Sequence, residues 1–361
     1  RFGAPDISTA ARSTLEALAH RHGLVDVPVV SGATSAFRLR ARLAIRGRQG
    51  APKIGMFQLG SHRVVPIPDC SVQHPLINRV VGVVRRALVD ADVTPYSEAT
   101  HAGLARYLQV VVERRSRSAQ VVLVASSATV EPLASCLDLV RERLGDELHS
   151  LWFNSHCERS NTILGPEFVN WCGPASVIEH FGGAAIHYPP GAFGQNNLDV
   201  AERIVEHVRA EVPEDACVAE FYAGVGAIGL SLLSRVREIR MNEVSPHSLH
   251  GMALGIAALD AADRARVDVV PGMAGEAIAV ASAADVVIAD PPRRGLDRVL
   301  REFLGEQPPE RFLYVSCGLE SFVEDTARLT SGGKLRLSGL TAFNLMPFTE
   351  HVETVARFER A

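Results

Sequence analysis

The second half of the chain alternates short apolar runs with stretches in which apolar residues recur at helical spacing. The predicted helices and strands follow in turn, at 198–211, 216–222, 226–235, 238–244, 246–259, 266–271, 274–281, 285–289, 296–305, 311–316 and 320–330. This alternation predicts a parallel, doubly wound α/β sheet.

The pattern changes after residue 330. Strands 334–343 and 351–359 have no helix between them, so we expect an antiparallel hairpin. A doubly wound sheet that closes on such a hairpin is class I methyltransferase-like, a variant of the Rossmann-like fold.

The first half is mixed, with helices and strands predicted at 9–22, 75–91, 104–113 and 119–126. Residues 155–190 are rich in Gly, Pro, Asn and His and predict irregular strands and turns. We therefore predict an α+β domain at 1–190, whose residues 9–22 pack on a second, catalytic domain at 191–361.

A loop with unusual chemistry follows the predicted strand 285–289. Asp290 ends that strand, because Pro291-Pro292 prevent further ladder hydrogen bonds. Open α/β sheets bind ligands at the carboxyl ends of their strands. Asp290 is thus a candidate site residue, although a proline-rich turn with solvated arginines would look similar.

A glycine-rich turn, Gly224-Val-Gly226-Ala-Ile-Gly229, follows Tyr222 between a predicted strand and a helix. Glycines there let a ligand approach the backbone, and Glu243, at the end of the next strand, can hydrogen-bond a ribose diol. The pattern indicates a nucleoside cofactor but does not separate a dinucleotide from S-adenosylmethionine.

Further candidates lie near the ends of the last strands. Cys317 follows strand 311–316, where it faces the crevice and a thiolate could act as a nucleophile. His351 and Glu353 share one strand face, so either could reach the crevice as a proton acceptor. Gln195, just before helix 198–211, could offer an amide to a cofactor.

Composition adds limits rather than a function. A net charge of −4 gives no global nucleic-acid signal, and six Cys without a CxxC pair indicate a reducing compartment, hence a cytoplasmic location. No apolar stretch has membrane-spanning length, so we expect no membrane partner. A strand with Arg38, Arg40 and Arg42 alternating with apolar residues is either a solvated face or a phosphate track.

Several segments together resemble the RNA (uracil-C5) methyltransferases, which make 5-methyluridine in transfer and ribosomal RNA. They are FGQNN at 193, EFYAGVGAIGL at 220, NEVSP at 242, DPPRRGLD at 290, YVSCG at 314 and MPFTEHVE at 346. The resemblance covers 190–361 firmly and extends more weakly upstream, to the family's central, RNA-contacting domain. We expect a monomer that acts on rRNA or tRNA.

The resemblance implies that Cys317 is the nucleophile and Glu353 the base that removes the C5 proton. The residues that would hold S-adenosylmethionine are Gln195, Tyr222, Gly224, Gly226, Glu243 and Asp290. Thiolate addition at C6 is needed because uracil C5 alone is too weak a nucleophile. The target uridine must be unpaired or flipped out.

The chain departs from the family pattern at Gly318, where Asn is usual, at Glu220, where Asp is usual, and near Met273, where Asn or Asp is usual. Many members bind an iron–sulfur cluster through four Cys. Cys70 resembles the last of these ligands and the other three would precede Arg1, so this chain alone is not expected to hold the cluster.

Two other hypotheses stay open. One is a methyltransferase that acts on a nitrogen and needs no thiol. The other is a catalytically silent RNA-binding protein on the same fold, which the changes at Gly318 and Met273 would suit.

Overall fold

A computed structural model describes residues 6–361 of the chain. Its α-helices are, in chain order, α1 (Thr9–Arg21), α2 (Pro75–Asp90), α3 (Ala134–Leu144), α4 (Leu198–Glu211), α5 (Ala227–Leu232), α6 (Pro246–Ala257), α7 (Ala261–Arg264), α8 (Arg298–Glu306) and α9 (Leu319–Thr330). Short 3₁₀ turns occur at Glu131–Leu133, Gly145–Glu147 and Ile278–Ala281.

The strands in the same residues are β1 (Val29–Ser31), β2 (Arg40–Arg48), β3 (Ala51–Phe57), β4 (Val64–Pro66), β5 (Ala105–Val112), β6 (Ala119–Ala125), β7 (Leu148–Ser155), β8 (Glu167–Cys172), β9 (Val177–Phe181), β10 (Ala184–Tyr188), β11 (Cys217–Phe221), β12 (Glu238–Glu243), β13 (Val267–Pro271), β14 (Val286–Ala289), β15 (Arg311–Ser316), β16 (Leu335–Asn344) and β17 (Glu353–Arg360).

The chain divides into two compact units that interleave along the sequence. The first unit contains the residues up to Thr34, His180–His187 and Ala192–Ala361, and the second contains Ser35–Glu179 and Tyr188–Gly191. The functional division at residue 190 made from the sequence stays a prediction.

The first unit is built on an eight-stranded sheet in the order β1-β16-β17-β15-β14-β11-β12-β13. Strands β11 to β15 are mutually parallel, and β17 runs antiparallel to both β15 and β16. The predicted class I methyltransferase-like, Rossmann-like sheet with an antiparallel C-terminal hairpin is therefore confirmed.

One face of this sheet carries a continuous apolar core. Leu15 and Leu18 of α1 pack there with Phe221 and Phe312 of the sheet and Phe322 of α9. Removing this apolar area from water stabilises the layer. Strand β1 was not predicted from the sequence because it is too short to show a periodicity, and it is fixed by parallel pairing with β16.

The second unit is built on a seven-stranded sheet in the order β4-β3-β2-β5-β6-β7-β8. Its central strands β5 and β6 are buried along their whole length. Of the two interpretations left open for the arginines of β2, a fully solvated face does not fit, because Arg40 and Arg46 are each only 8% exposed. The Arg40 guanidinium lies 4.3 Å from the ring of Tyr188, and Arg46 donates to backbone carbonyls.

One smaller expectation also differs. The short helix expected at 274–281 is a 3₁₀ turn at Ile278–Ala281. The region 155–190, where irregular strands and turns were predicted, contains strands β8, β9 and β10, and β8 is fixed by pairing with β7 rather than by a local pattern.

Candidate active site

Cys317 and Glu353 are brought together by the pairing of β15 with β17. These strands are antiparallel, with Ser316 opposite Thr354. Continuing that register by one residue places Cys317 opposite Glu353, and directly opposed residues in such a pair lie close together. A thiol and a carboxyl group that are distant in sequence thus become neighbours at the edge of the crevice.

The surroundings of these two groups favour their neutral forms. Burial raises the pKa of the Cys317 thiol to about 11, with contributions from Glu353 and Asp290 and an opposing effect of Arg293. Burial and Asp290 raise the pKa of Glu353 to about 8, again opposed by Arg293. Burial also raises the pKa of Asp290 to about 7. These mutual effects indicate a cluster of three acids with Arg293 beside it.

The DPPRRG loop, which joins β14 to α8, is anchored by Asp325 of α9. One Asp325 oxygen accepts hydrogen bonds from the Leu296 amide (2.9 Å) and the Tyr314 hydroxyl (2.7 Å), and the other accepts from Arg301 (2.7 Å). Gly295 has φ +84°, and a Cβ there would lie 2.5 Å from this carboxylate. The close approach therefore requires glycine.

Ser321 ties the same loop to the residue after Cys317. Its hydroxyl lies 2.8 Å from the carbonyl oxygen of Arg293 and 2.9 Å from that of Gly318. A Cβ at Gly318 would lie 2.3 Å from the Arg293 carbonyl oxygen. The backbone that carries Arg293 therefore rests directly on Gly318, and the Arg293 guanidinium lies 3.4 Å from the ring of the exposed His351.

The glycine-rich turn after β11 is closed by Glu243, the last residue of β12. One Glu243 oxygen accepts from the Gly224 amide (2.7 Å), and the other accepts from Val244 (2.8 Å) and Ser245 (2.6 Å). Gly224 and Gly226 have φ of +58° and +81°, and the space beside Gly224 is open to 4 Å. A carboxylate offers about four acceptor positions, so one remains for a ligand hydroxyl.

Tyr222 links this turn to the DPPRRG loop. Its φ of +58° is unusual for a residue with a side chain, and its hydroxyl accepts a hydrogen bond from the Asp297 amide (2.9 Å). The turn and the loop therefore hold each other in place at the ends of neighbouring strands β11 and β14.

Gln195 lies half-buried just before α4. The next residues fix the start of that helix, because Asn197 accepts from the Val200 amide (3.4 Å) and donates to the Leu345 carbonyl (3.2 Å). Among the described residues, none hydrogen-bonds the Gln195 side chain. Its amide is therefore available to a ligand.

Comparison with known proteins gives two kinds of match in sequence. A family model described as tRNA (uracil-5-)-methyltransferase matches residues 276–361. An uncharacterized RNA methyltransferase of Protochlamydia amoebophila is 36% identical over 335 residues, which cover 91% of this chain and 87% of that protein. This chain belongs to the RNA (uracil-C5) methyltransferase family. Another uncharacterized RNA methyltransferase, from Gloeobacter violaceus, is 29% identical over 97% of this chain and 77% of its own length.

The fold is shared with a solved structure. The tRNA (uracil-54, C5)-methyltransferase of Pyrococcus abyssi, in complex with S-adenosyl-L-homocysteine, superposes with a TM-score of 0.78. The match covers 97% of this chain and 83% of that chain at 22% identity, so it shows the fold. As a family member, the chain is an RNA methyltransferase that uses S-adenosylmethionine.

Two further observations concern metal ions and membranes. No group of three or more His, Cys, Asp and Glu residues in the described part of the chain is arranged to hold a metal ion. Cys70, which resembles a cluster ligand of the family, lies partly exposed before α2. Within residues 6–361, every helix is too short or too polar to cross a membrane.

The departures from the family pattern have different consequences in the structure. Gly318 is required by the close approach of the Arg293 carbonyl. Glu220 is almost completely buried at the end of β11, where burial and the neighbouring Asp290 hold its pKa well above the ordinary range. Met273 is 41% exposed after β13 and makes no contact that explains its identity.

Sequence reasoning missed two residues that organise the site. Asp325 and Ser321 lie on α9, where each reads as an ordinary helix residue. Asp325 shares its helix face with the apolar residues Phe322 and Leu329, and this spacing predicts that it is buried. Carboxylates are rarely buried without partners, so this pattern is the one signal that could have identified Asp325.

Proposed function

We propose that this chain methylates C5 of a uridine in RNA, with Cys317 as the nucleophile and Glu353 as the base. The observation that carries the proposal is the strand register that sets these two residues opposite each other, beside Arg293. Methylation of a nitrogen or oxygen would need no such pair, because those atoms attack a methyl group directly.

Each residue has a definable task. The Cys317 thiol first releases its proton to solvent. The thiolate then adds to C6 of the uracil, and the electrons of the C5–C6 double bond move to C5. After C5 has taken the methyl group, the ionised Glu353 removes the C5 proton, the double bond re-forms and the C6–sulfur bond breaks. The released thiolate takes up a proton again and Glu353 gives its proton to solvent, so atoms and electrons balance.

The residues around the glycine-rich turn fit S-adenosylmethionine, which supplies a methyl group on a positively charged sulfur when bound. Glu243 keeps one acceptor position for a ribose hydroxyl, and the open space beside Gly224 lets a ligand approach the backbone. We propose that Gln195, Tyr222, Gly226 and Asp290 complete this cofactor site.

The resting protonation states indicate how the reaction is gated. With the thiol pKa at about 11 and that of Glu353 at about 8, both groups are largely protonated near neutral pH. Arg293 favours both charged forms. We propose that it stabilises the thiolate when the base enters the crevice and excludes water.

The substrate is proposed to be an unpaired or flipped-out uridine of rRNA or tRNA, because a stacked base cannot present C6 to a thiolate. The proposed division of labour places methyl transfer in residues 191–361 and RNA contact in residues 1–190. We propose that the enzyme works as a monomer in the cytoplasm.

The test uses labelled S-adenosylmethionine and RNA that contains 5-fluorouridine. Fluorine at C5 cannot be removed as a proton, so the wild-type protein should be trapped covalently on the RNA after methylation. Cys317→Ala should abolish both trapping and methyl transfer, whereas the exposed Cys157→Ala should change neither. Methyl transfer that persists in Cys317→Ala would overturn the proposal and indicate a nitrogen target.

A further inference from the structure

A long segment of the chain is free of acidic residues. Residues 27–68 contain seven Lys and Arg and no Asp or Glu, although the whole chain carries a net charge of −4. The segment includes strands β2, β3 and β4, which form one edge of the sheet in the second unit. Its basic character is therefore concentrated on one part of that sheet.

Strand pairing places several of these cations on the same face as an aromatic ring. Arg46 of β2 is opposite Lys53 of β3, and Phe57 is four residues beyond Lys53. Side chains alternate between faces, so Arg46, Arg48, Lys53 and Phe57 share one face. Arg42 lies on it as well and donates to Gln109 (2.8 Å).

The outer groups of this face are open to solvent. Arg48 and Lys53 are exposed, and within residues 6–361 neither of them has a carboxylate partner. Phe57 is 40% exposed, and Leu59 at the hairpin tip is 99% exposed. Exposed cations interleaved with an exposed ring are the combination that binds nucleic-acid backbones and bases together.

The ring of Phe57 is held rather than loose. The Arg46 guanidinium lies 5.3 Å from its centroid and 5.0 Å from that of Tyr107. Arg46 is itself fixed by donating to the Ile45 and Arg106 carbonyls (both 2.8 Å) and by pairing with Glu98. A ring positioned by a buried cation on one side offers its other surface at a low entropic cost to a stacking base.

We propose that this face of β2 and β3, defined by Arg48, Lys53 and Phe57, binds an unpaired stretch of RNA. Lys53 and Arg48 would contact phosphates, and Phe57 would stack with a base. The inference rests on the proposed function only in taking RNA as the ligand, and its chemistry is independent of Cys317.

The test measures binding of a fluorescent oligouridylate of about 12 nucleotides as a function of salt. Arg48→Gln/Lys53→Gln should weaken binding and reduce the slope of log affinity against log salt by about 1.4, since each phosphate contact to a single strand contributes about 0.7. Phe57→Leu should weaken binding roughly 5- to 100-fold without changing that slope, because stacking is not ionic.

The matched control is Arg85→Gln/Arg86→Gln, which removes two exposed charges from helix α2 of the same unit. Equal losses in the control and in Arg48→Gln/Lys53→Gln would overturn the proposal, as would an unchanged salt slope. A wild-type dimer in sedimentation velocity that Phe57→Leu dissociates would also overturn it, because the face would then bind a second copy.

Failure of this inference and failure of the proposed function give different results. If the proposed RNA-binding face is wrong but the proposed uridine methylation is right, the Phe57 and Lys53 variants bind RNA normally and Cys317 is still trapped on 5-fluorouridine RNA. If the function is wrong but the face is right, the variants lose RNA binding although no trapping occurs in the wild type. Thermal melting of each variant should match the wild type, since the changed side chains are exposed.

Discussion

The two units differ in the charged groups that they bury, and the difference indicates what each group is for. In the described part of the first unit, the charged residues that are almost completely buried carry carboxyl groups, Glu220 and Glu353 among them. The second unit buries guanidinium groups as well, those of Arg46 and Arg106, which are 8% and 1% exposed, besides the carboxyl groups of Glu113 and Glu179. A carboxyl group can become neutral by taking up a proton, whereas an arginine remains charged in proteins.

This difference separates buried groups that can exchange protons from buried groups that only stabilise the fold. The pKa values of Asp290 and Glu353 are raised to about 7 and about 8, so both can exchange protons near neutral pH. Groups tuned in this way are typical of catalytic sites. Arg106 instead has fixed partners, donating to the His156 and Glu158 carbonyls (both 2.7 Å) with its guanidinium 4.4 Å from the Tyr96 ring. Its charge holds a loop in place.

The largest effect is expected from Glu353→Gln, which keeps the shape of the side chain but removes its ability to accept a proton. Turnover should fall by about 10²- to 10⁴-fold, as for loss of a general base. With ordinary RNA the variant should accumulate the covalent Cys317 adduct, because the C5 proton stays and the thiol is not expelled. Denaturing gel electrophoresis measures this adduct.

The pH dependence sharpens the same prediction. Glu353 must be ionised to act as a base and Cys317 to act as a nucleophile, so wild-type turnover should rise with pH through the Glu353 pKa of about 8 and continue to rise toward the Cys317 pKa of about 11. Glu350→Gln, on an exposed neighbour, should retain both the rate and this rise. Full turnover in Glu353→Gln would assign the base to another group.

The raised pKa of Glu353 also makes the stability of the folded protein depend on pH. The unfolded carboxyl has the ordinary pKa of 4.5 and the folded one has a pKa of about 8, so the stabilisation present at low pH is lost as pH rises through this interval. Amide hydrogen exchange in β17 should therefore become faster relative to its intrinsic rate as pH rises, and Glu353→Gln should reduce this trend.

How much of the fold and of the candidate site could be predicted from the sequence depends on whether each feature has a local sequence signal. Helix α4 matches its prediction, and the alternation of strands and helices gave the correct sheet, because amphipathic periodicity and strand-end prolines are local signals. Sequence also predicted that Asp290 lies at a strand end and that Cys317 follows one, as the structure has them. Their catalytic and binding roles stay predictions.

The rest is set by contacts between distant segments. The burial of Arg40 depends on Tyr188, and that of Arg106 on a loop about 50 residues away, so an arginine that alternates with apolar residues looked solvated. Glu243 was predicted to meet a ribose, and its three bonds to backbone amides could not be predicted without the turn geometry. The clamp at Asp325 likewise exists only once α9 lies under the DPPRRG loop.

A smaller effect is expected from Arg106→Met, which tests the architectural side of the comparison. The variant leaves two carbonyls without their charged donor, so the second unit should lose about 3 kcal/mol of stability. Both tryptophans of the chain, Trp152 and Trp171, lie in this unit, so urea unfolding followed by their fluorescence reports on it.

The loss in Arg106→Met should be the same at neutral and mildly alkaline pH, since a guanidinium does not titrate in this range. The exposed Arg86→Met is the control and should change stability by less than about 0.5 kcal/mol. A loss that varies with pH would show that a titrating group shares the role of Arg106, and the contrast between the two units would no longer hold.

The smallest effect is expected from Gly318→Ala, at the point where this chain departs from its family. The new methyl group would lie 2.3 Å from the Arg293 carbonyl oxygen and 2.7 Å from the Ser321 hydroxyl, so the DPPRRG loop must move by a fraction of an ångström. Turnover should fall about 10-fold, since small displacements of positioned groups are costly. The rise of rate with pH should shift upward, because Arg293 moves away from the groups whose ionisation it favours.

The matched control is Gly305→Ala in α8, where a Cβ meets no atom within 4 Å. It should retain turnover and its pH profile, and helix propensity favours alanine there. If Gly318→Ala were as active as this control, the loop would not need to rest on residue 318 to place Arg293. The glycine would then be a neutral replacement for the asparagine usual in the family, and Ser321 would have no positioning role to fill.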